Sequence, residues 1–403
     1  MQTQQIVHLF NDDKFIDLTI DLFETTFPTK SVYYILKKKG EKLNFVKSTN
    51  IQRIDYEDDL EKFNFISTLN ETSTTIVFFH ALDVIKQDIA LQLRKEIKKV
   101  WFVWGYDLYE KWPLLKKGIY EKETHKLINR NKSIKKKLIF NPISFSVFKM
   151  LVKIKAFLPT KLNQFVNNNF NTTYYKAVSS MDVLVPVTPN EYKIVKKINK
   201  KLIYAPFTYG SLEDLLGNNF DKNVLESNNI LVGNSANPTN NHIDIFIKLS
   251  QVNLENRKIY VPLSYSGSEY YVSKVIEKGK ELWGENFIPL KDFISLEAYN
   301  KILLSCNVLI FNHVRQQGVG NIVAMGFLGA KVFLNKKNPV YQYYKEEGFK
   351  IYSIDEINNS SVKKSLSKEV YLENKELFLN LYSKEKVIQK IEKLIEIVKD
   401  LKK

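Results

Sequence analysis

Several features are scarce in this 403-residue chain, and each absence excludes a class of protein. Cys306 is the single cysteine, which excludes a disulfide framework and a cysteine-based metal cluster and indicates a reducing compartment. No apolar run approaches the roughly 18 residues that a membrane-spanning helix requires. The opening stretch MQTQQIVHLFNDD has neither a basic n-region nor a long apolar h-region, so it predicts no signal peptide. These absences predict a soluble or peripheral protein in the cytoplasm.

The composition that is present is typical of a globular protein. Apolar residues make up 44% of the chain, aromatic residues make up 13%, and charges of both signs are mixed. The length predicts two domains of roughly 150 to 200 residues each. The formal net charge of +16 is unevenly distributed, because residues 124–181 contain eleven Lys and Arg but no Asp or Glu.

This basic segment is interleaved with Leu, Ile, Phe and Met, and it predicts contact with an anionic membrane surface. Each cation near such a surface contributes about 1 kcal/mol of attraction. Nucleic acid is the rival partner, but no zinc finger, basic zipper or RNA-binding signature accompanies the segment, so we expect no nucleic acid. A pair of solvated basic helices is the structural alternative. The predicted membrane-binding residues are Lys135, Lys136, Lys137, Lys149, Lys153 and Lys155.

Strand-like and helix-like runs alternate along the chain in two series. The strand-like runs of the first series are QQIVHLF, SVYYILKK, TTIVFFH, KVWFVWG and MDVLVPVT. Those of the second are NNILVGNSA, NRKIYVPLSYSG, CNVLIFNHV, AKVFLNKKN and FKIYSID, with helix-like segments at 240–253, 268–284, 295–305 and 320–329. Strands that alternate with helices predict parallel sheets with crossover helices.

The two series predict an α/β fold of two Rossmann-like domains facing a cleft. We expect the first domain at 1–207 and the second at 225–382, with a linker rich in Gly, Pro and Asn between them. The segment 383–403 has Val, Ile and Leu at helical spacing and predicts an amphipathic helix, for which a return to the first domain is one option. Ligands of open parallel sheets bind beyond the carboxyl ends of the strands, so the loops after strands are the candidate sites.

The loop after the first strand of the second series has phosphate-binding features. Gly233, Asn234 and Ser235 follow the apolar run ILV, and Thr239, Asn240 and Asn241 are residue types that cap helices. Glycine permits close approach of the backbone, and free N–H groups at a helix start favour phosphate. The loop is not a G-x-G-x-x-G fingerprint, which disfavours a dehydrogenase. An ordinary strand-to-helix turn is the alternative.

A second loop, HVRQQGVGN at 313–321, leads from the apolar run NVLIF into a helix-like segment. Gly318 and Gly320 allow a tight turn, and Arg315 is a permanent cation that can bind phosphate oxygens through two parallel hydrogen bonds. The amides of Gln316 and Gln317 can bind the hydroxyl and carbonyl groups of a sugar or a base. A nucleotide diphosphate would use all of these groups, whereas the alternative is a turn with a solvent-facing arginine.

The first series contains three candidate general bases at strand ends. Asp107 follows shortly after the run KVWFVWG, and we expect the side chains of Trp104 and Tyr106 to shield it from water, which would raise its pKa; its alternative is a helix cap. His80 follows TTIVFF and His8 follows QQIV, and a histidine at a strand end is often only a hydrogen-bonding residue.

The stretches VWGYDLYE (103–110), ILVGNSANPTNNHI (230–243), VPLSYSGSEYYVSKV (261–275) and RQQGVGN (315–321) resemble glycosyltransferase family 56 in order and spacing. This is the 4-acetamido-4,6-dideoxygalactose (Fuc4NAc) transferase family of enterobacterial common antigen synthesis. The resemblance implies a GT-B fold, a dTDP-linked Fuc4NAc donor and a lipid-linked oligosaccharide acceptor on undecaprenyl diphosphate, at the inner face of the plasma membrane.

The resemblance also implies substrate-binding roles for matching positions. On the nucleotide-side loop these are Gly233, Asn234, Ser235 and His242, and Tyr265 lies in the VPLSYSG stretch; in the diphosphate loop they are Arg315, Gln316, Gln317, Gly318, Gly320 and Asn321. In the first-domain motif they are Trp104, Tyr109 and Glu110, beside Gly105 and the candidate base Asp107.

No two aspartates of the chain are spaced i, i+2, so the Asp-x-Asp triplet that holds a divalent ion in other transferases is missing. We therefore expect no metal and no cofactor, because Arg315 and a helix N-terminus can neutralise the leaving diphosphate. Two alternatives stay open at this point. One is a nucleotide-sugar epimerase with the same two domains, and the other is a non-catalytic protein that binds membrane or nucleic acid.

Overall fold

The computed structural model describes residues 5–71, 74–111, 118–129 and 172–402, and positions 115, 147, 150, 159–161 and 164. The chain forms two compact units. Unit 1 comprises Met1–Lys111, Ala156–Asp214 and Tyr382–Lys403, and unit 2 comprises Trp112–Lys155 and Leu215–Leu381.

Unit 1 is built on a seven-stranded parallel sheet with the strand order β3-β2-β1-β4-β5-β6-β7. Its strands are β1 (Gln5–Phe10), β2 (Ser31–Leu36), β3 (Gln52–Ile54), β4 (Thr74–His80), β5 (Lys98–Phe102), β6 (Val183–Val185) and β7 (Ile203–Tyr204). Its described helices are α1 (Ile16–Thr26), α2 (Asp59–Glu71), α3 (Val84–Gln92), α4 (Tyr106–Tyr109), α6 (Thr172–Ser180), α7 (Pro189–Val195) and the C-terminal α16 (Lys384–Asp400). The helix α5 (Lys122–Asn129) lies between α4 and α6 in sequence but belongs to unit 2.

Unit 2 is built on a six-stranded parallel sheet with the order β10-β9-β8-β11-β12-β13. Its strands are β8 (Asn229–Val232), β9 (Ile259–Pro262), β10 (Phe287–Leu290), β11 (Cys306–Phe311), β12 (Lys331–Leu334) and β13 (Tyr352–Ser353). After α8 (Leu212–Leu216), its helices are α9 (His242–Leu249), α10 (Glu269–Trp283), α11 (Leu296–Leu304), α12 (Val319–Phe327), α13 (Pro339–Glu346), α14 (Asn359–Lys363) and α15 (Lys368–Tyr382). Short 3-10 turns lie at Gly217–Asn219, Pro238–Asn240, Gly284–Asn286 and Ile354–Glu356.

The central strands of both sheets are covered on both faces. Residues 6–10, 76–80 and 306–311 are buried without interruption. This accounts for the continuous apolar runs that identified these strands in the sequence, since a parallel strand packed between helices has no solvent face. Most of the buried side chains between these strands and their helices are Ile, Val, Leu and Phe.

Both sheets contain a topological switch point, where two adjacent strands connect to helices that leave in opposite directions. The strand orders place it between β1 and β4 in unit 1 and between β8 and β11 in unit 2. The crevice beyond the carboxyl ends of such a strand pair is the usual ligand site of an open α/β sheet. In unit 2 the candidate loops predicted from the sequence follow β8 and β11; in unit 1 His8 and His80 lie on β1 and β4, whereas the loop that contains Asp107 follows the next strand, β5.

The predicted C-terminal helix begins at Lys384 and belongs to unit 1. The chain thus returns to the first domain, which was one option in the sequence analysis. Its buried face contributes five side chains to the core of unit 1: Val387, Ile391, Leu394, Ile395 and Val398. Lys98 Nζ donates to the carbonyl oxygens of Val398 and Lys399, each at 2.8 Å, where a cation also complements the helix dipole.

The predicted first domain, 1–207, needs one correction. Residues 112–155 group with unit 2. The described part of this segment includes α5, whose first backbone N–H groups, at Glu123 and Thr124, donate to the carboxylate of Asp244 at 2.7 and 2.9 Å. The sequence pattern did not reveal this attachment, because a capping carboxylate 120 residues away leaves no local signal.

The predicted membrane-binding lysines at 135–137, 149, 153 and 155 lie outside the described residues. Within the part of the chain that the structure describes, no helix is both long enough and apolar enough to cross a membrane.

Candidate functional site

The loop after β8 depends on a glycine at its first position. Gly233 has φ +70°, and a Cβ there would lie 2.6 Å from Asn240 Oδ1 and 2.9 Å from His242 Nε2. Any larger residue would therefore clash and adopt a strained backbone. The next residue, Asn234, donates its backbone N–H to Asn240 Oδ1 at 2.9 Å. The loop thus folds tightly over the start of α9.

The loop after β11 contains two glycines with different constraints. Gly318 has φ +66° and precedes α12, and a Cβ there would lie 2.8 Å from the ring of Phe311. Gly320 lies in the first turn of α12, and outside that helix a Cβ added there would meet, among the described residues, only Leu215 Cδ2 within 4 Å, at 3.9 Å. Contacts with described residues therefore account for a glycine at position 318 but not for one at position 320. The space next to Gly320, at the first turn of α12, is open.

Gln317 joins the two loops. Its Nε2 donates to Asn234 Oδ1 at 2.9 Å and to Ser235 Oγ at 3.4 Å, and its Oε1 accepts a hydrogen bond from the Thr239 hydroxyl. The side-chain amide is thus engaged within the protein. In this structure Gln317 shapes the site by fixing the β8 loop against the β11 loop.

Asn240 and His313 form a second link, which the sequence reasoning missed. His313 Nε2 and Asn240 Oδ1 are 2.7 Å apart, and Asn240 Nδ2 donates to the Asn237 carbonyl at 2.9 Å. Asn240 was expected to cap a helix, but its side chain is 1% exposed and bridges loops instead. One signal for this residue was present in the sequence, because Asn240 lies in one of the two loops predicted to bind the ligand. The contact between Asn240 and His313 was not predictable, since 73 residues separate them.

Arg315 and Gln316 lie in the same loop and are largely buried, with exposed fractions of 6% and 7%. Arg315 Nη1 donates to the Gln316 carbonyl at 3.3 Å. Asn338 Nδ2 fixes the loop from the other side by donating to the carbonyls of His313 and Arg315 at 3.0 and 3.2 Å. The cation is therefore held near the start of α12 by the backbone of its own loop.

Two buried histidines line this switch point. His242 Nδ1 lies 3.1 Å from the Tyr271 hydroxyl, while His242 Nε2 and His313 Nδ1 have no hydrogen-bond partner among the described residues. Burial lowers the pKa of His242 to about 3 and that of His313 well below its ordinary value. Both imidazoles are neutral at physiological pH, and within the described chain each has one ring nitrogen unused.

The helices of unit 2 differ in how they begin. Five of them start with a side chain that accepts a hydrogen bond from the first turn: Ser268, Ser295, Asn338, Asn358 and Ser367. The helices α9 and α12, which follow the two switch-point strands, have no side-chain cap among the described residues. Their first turns keep the N–H groups and the positive dipole end that anions bind.

Two further predicted residues flank these loops. The Tyr265 hydroxyl lies 3.5 Å from Asn234 Nδ2, and the side chain is 47% exposed. Asn321 Nδ2 donates to the Tyr299 hydroxyl at 2.9 Å. The structure thus brings together all the predicted unit 2 residues, around the carboxyl ends of β8 and β11.

In unit 1, Asp107 is fully buried, and its carboxylate accepts three hydrogen bonds. Its Oδ2 accepts from Trp101 Nε1 at 2.7 Å and from Leu82 N at 2.9 Å, and its Oδ1 accepts from Trp104 N at 2.9 Å. Burial raises the pKa of Asp107, as the sequence predicted, while these donors oppose that rise. The carboxylate fixes the loops after β4 and β5, and the helix cap at this point is Gly105.

His8 and His80 are buried side by side on neighbouring strands. His8 Nδ1 lies 3.1 Å from His80 Nε2, and His80 Nδ1 lies 2.8 Å from the Tyr209 hydroxyl. Burial lowers the pKa of His8 to about 3 and that of His80 well below its usual range. Trp104 Nε1 donates to the same Tyr209 oxygen at 2.6 Å.

The remaining motif residues differ in exposure. Tyr109 is 4% exposed, and burial raises the pKa of the buried Glu191 carboxyl group to about 7. Glu110, at the end of α4, is partly exposed.

The sequence reasoning also missed Asp13, which follows β1 at the switch point of unit 1. Asp13 is partly exposed, its Oδ1 accepts from Phe15 N at 3.3 Å, and burial raises its pKa. The sequence carried a signal, because Asp12 and Asp13 directly follow the apolar run QQIVHLF and one more residue, Asn11. Among the described residues, no group of three or more His, Cys, Asp or Glu side chains is arranged to hold a metal ion.

Two parallel sheets in these strand orders, each with its own switch point, form the two Rossmann-like units of the GT-B fold. Solved structures of this fold cover nearly the whole chain. A trehalose-6-phosphate structure from E. coli bound with UDP-2-fluoro glucose is 10% identical, with a TM-score of 0.58 over 99% of this chain and 100% of that one. Anabaena Alr3699/HepE in complex with UDP-glucose is 8% identical, with a TM-score of 0.59 over 98% and 99%.

WaaG, a glycosyltransferase involved in lipopolysaccharide biosynthesis, is 10% identical, with a TM-score of 0.54 over 98% of this chain and 100% of that one. At such identities the likeness establishes the fold alone. The family follows from the sequence itself. Residues 190–391 match the model of 4-alpha-L-fucosyltransferase, glycosyl transferase group 56, so the chain belongs to this family and is a hexosyltransferase.

Proposed function

We propose that this protein transfers a 4-acetamido-4,6-dideoxyhexose of the Fuc4NAc type from a dTDP-sugar to an oligosaccharide linked to undecaprenyl diphosphate. The reaction belongs to the synthesis of a bacterial surface polysaccharide such as enterobacterial common antigen, at the inner face of the plasma membrane. Membership of group 56 supports the reaction class. The motif resemblance described above supports the donor and the acceptor.

The proposed position of the donor diphosphate rests on one observation, which concerns the N-termini of the helices in unit 2. The two helices that follow the switch-point strands of unit 2 lack side-chain caps within the described chain, whereas five other helices of the unit have them. A nucleotide diphosphate placed there would accept hydrogen bonds from the free N–H groups of α12 and sit at the positive end of its dipole. The open space above Gly320 gives the phosphate room to approach.

Arg315 has a separate part in this proposal. Negative charge grows on the leaving dTDP as the sugar–phosphate bond breaks, and a fixed cation stabilises that charge without reorganising in the transition state. The loop backbone and Asn338 already hold the arginine near α12. Arg315→Ala is therefore expected to slow turnover and to weaken dTDP binding by about 1.5–3 kcal/mol.

The acceptor hydroxyl must lose a proton to a base. Asp107, His80 and His8 remain the residues predicted from the sequence, yet all three are buried. Asp13 is the more accessible carboxyl group at the unit 1 switch point, and burial raises its pKa toward a value that suits a base. We propose Asp13 as the base, with Asp107 fixing the neighbouring loops.

Membrane attachment through the basic segment is the part that rests on sequence alone. Its lysines alternate with apolar residues, which suits an anionic lipid surface that also presents the lipid-linked acceptor. Replacing Lys135, Lys136 and Lys137 with Gln is expected to weaken binding to anionic liposomes by about 1 kcal/mol per charge. Equal loss of activity on a short water-soluble acceptor would place these lysines in the catalytic site instead.

The test of the function is a donor screen. Purified protein is mixed with dTDP-linked and UDP-linked sugars and a lipid-linked disaccharide, with and without EDTA, and products are identified by mass spectrometry. We expect one added 4-acetamido-4,6-dideoxyhexosyl group from the dTDP donor, undiminished by EDTA. Isomerised donor without acceptor would indicate an epimerase, and no product from any donor would indicate a binding protein. Loss of activity in EDTA with recovery in magnesium would contradict the metal-independent mechanism.

A further inference from the structure

Three aromatic rings meet at the carboxyl edge of the unit 1 sheet. Phe15 follows β1 and directly precedes α1, Trp104 follows β5, and Tyr209 follows β7. The ring centroids of Phe15 and Trp104 are 6.3 Å apart, those of Phe15 and Tyr209 are 6.0 Å apart, and those of Trp104 and Tyr209 are 5.5 Å apart. Three segments that are distant in sequence thus build one aromatic surface, which we call the aromatic platform.

The platform is supported by the core of unit 1. The Tyr209 ring packs against Phe102 and Phe207, with centroids 6.2 and 4.9 Å apart, and both phenylalanines are buried. Phe15, Trp104 and Tyr209 are each partly exposed. The core therefore holds these rings in place while part of their surface stays accessible.

The polar atoms of the platform are used within the protein. Trp104 Nε1 donates to the Tyr209 hydroxyl at 2.6 Å, and this hydroxyl lies 2.8 Å from Nδ1 of His80, which is 1% exposed. An indole N–H can only donate, so the Tyr209 oxygen accepts from Trp104, and its own proton is available to His80. These hydrogen bonds fix the orientation of both rings, and the surface that the rings offer to a ligand is carbon.

The platform adjoins the carboxyl group that is proposed above as the base. Phe15 N donates to Asp13 Oδ1 at 3.3 Å, so one ring of the platform and this carboxyl group share a turn. Burial raises the pKa of Tyr209, and the negative charges of Asp107 and Asp13 add to that rise, so Asp13 is near enough to affect the Tyr209 hydroxyl. A ligand on the platform would therefore lie beside a group that can accept a proton.

The polar surroundings favour a sugar over a nucleotide or a lipid tail. The loops after β1 and β4 also contain Asn11 and Asp83, joined by a hydrogen bond of 2.8 Å from Asn11 Nδ2 to Asp83 Oδ2. Carboxylate and amide oxygens accept hydrogen bonds from hydroxyl groups. A charged Asp13 would repel a nucleotide phosphate, and hydrocarbon against polar groups is unfavourable. The weakly positive C–H groups on one face of a sugar suit the negative face of an aromatic ring.

We propose that Phe15, Trp104 and Tyr209 bind the terminal sugar of the acceptor, with the apolar face of the sugar on the platform and its hydroxyl groups toward Asp13. The inference rests on the proposed function for the identity of this sugar, which is the end of the lipid-linked oligosaccharide. A platform held by the core orients the acceptor hydroxyl before transfer. Phe15 and Tyr209 thereby become acceptor-binding residues.

The first test measures binding and needs no turnover. The acceptor disaccharide, freed from its lipid carrier, is titrated into the protein while tryptophan fluorescence is recorded. We expect a saturable change that is lost in Trp104→Phe, because the sugar lies against this indole. Separate titrations use dTDP and detergent-solubilised undecaprenyl phosphate. A Trp104-dependent change caused by either of these probes, but not by the disaccharide, would assign the platform to a base or a lipid and overturn the proposal.

The second test removes one aromatic face. Phe15→Leu keeps an apolar side chain in the turn, so we expect an unchanged melting temperature and donor KM, but about tenfold weaker disaccharide binding and an acceptor KM raised to the same extent. Phe63→Ala is the matched control, because Phe63 is a 69% exposed phenylalanine of the same unit that lies on α2, outside the platform. Equal disaccharide affinity in Phe15→Leu and the unaltered protein would overturn the platform.

The two tests separate the platform from the transfer reaction. If the protein transfers a sugar and Phe15→Leu keeps the acceptor KM of the unaltered protein, the platform is wrong and the proposed function stands. If no donor is turned over but disaccharide binding depends on Phe15 and not on Phe63, the proposed transfer is wrong and the platform stands as a saccharide site.

Discussion

At the scale of single residues, two carboxyl groups of unit 1 illustrate how burial separates roles that look alike in sequence. Asp107 has no exposed surface and accepts three hydrogen bonds, whereas Asp13 is partly exposed and accepts one from Phe15 N. Burial raises the pKa of both. Only the accessible group can meet a substrate hydroxyl, since a general base must lie within hydrogen-bond reach of the proton that it removes.

The two aspartates should therefore respond differently to replacement by asparagine. Asp107→Asn places an amide N–H₂ against backbone and indole donors, so we expect a loss of about 1–3 kcal/mol in the free energy of unfolding. Asp13→Asn should leave stability nearly unchanged and lower kcat severely. Denaturant unfolding and steady-state kinetics on both variants measure this. A fully stable Asp107→Asn protein with no turnover would return the base role to Asp107.

The types of the donor-site residues were predictable from the sequence, but their partners were not. Gln317 was expected to bind substrate because it lies beside Arg315 in a glycine-containing loop. Its amide instead bonds Asn234, Ser235 and Thr239, which lie 78 to 83 residues away. Residue chemistry and loop position can be read locally, whereas a long-range hydrogen bond depends on how the two loops fold against each other.

At the scale of elements, the strands that the sequence missed are all at sheet edges. The strand β3 has three residues, β7 has two, and β10 has the sequence FIPL with a proline. Proline cannot donate to a neighbouring strand and is tolerated at an edge, so β10 is a poor match for a strand pattern. The central strands were predicted because burial on both faces imposes continuous apolar runs.

One substitution in the C-terminal helix α16 measures how much this helix contributes to the stability of unit 1. Leu394 is fully buried in the core of unit 1, so Leu394→Ala is expected to cost about 2–5 kcal/mol of stability through lost contacts and a cavity. Glu392→Ala, on the exposed face of the same helix, is the control. Hydrogen exchange should show weaker protection of β1 and β4 in the leucine variant alone. Unchanged protection would mean that α16 contributes little to the unit 1 core.

At the scale of the whole molecule, both units bury neutral histidines. His8 and His80 lie in unit 1, and His242 and His313 lie in unit 2. Burial lowers the pKa of His8 and His242 to about 3 and lowers those of His80 and His313 well below 6.5. The unfolded chain therefore binds more protons than the folded one below pH 6.5, and stability should be lost as the pH falls.

We expect lower stability at pH 5.5 than at pH 7.5 in both units. Each buried histidine contributes up to about 1.4 kcal/mol per pH unit below its unfolded pKa. Glu191 acts in the opposite direction, because burial raises its pKa to about 7 and its contribution is lost as the pH rises from about 4.5 to 7. Burial also raises the pKa of Asp107 and of Asp13, so three carboxyl groups oppose four imidazoles. Urea unfolding at the two pH values measures the balance, and His125→Gln, at an exposed position, is the control.

The central claim is that a donor diphosphate binds over the first turn of α12. A substitution that adds one methyl group at this position tests the claim. Gly320→Ala adds a Cβ whose only neighbour within 4 Å among the described residues is Leu215 Cδ2, at 3.9 Å. Alanine also favours a helix, so the variant should be as stable as the unaltered protein or slightly more so. Gly118→Ala, whose added Cβ meets no described atom within 4 Å, is the matched control.

The decisive measurement is isothermal titration of dTDP into these three proteins. We predict that Gly320→Ala binds dTDP at least about tenfold more weakly, a loss of about 1.4 kcal/mol or more, because the methyl group occupies the approach to the helix N–H groups. Gly118→Ala should bind as the unaltered protein does. A Gly320→Ala protein that folds normally and binds dTDP with undiminished affinity would contradict the placement of the diphosphate at this switch point.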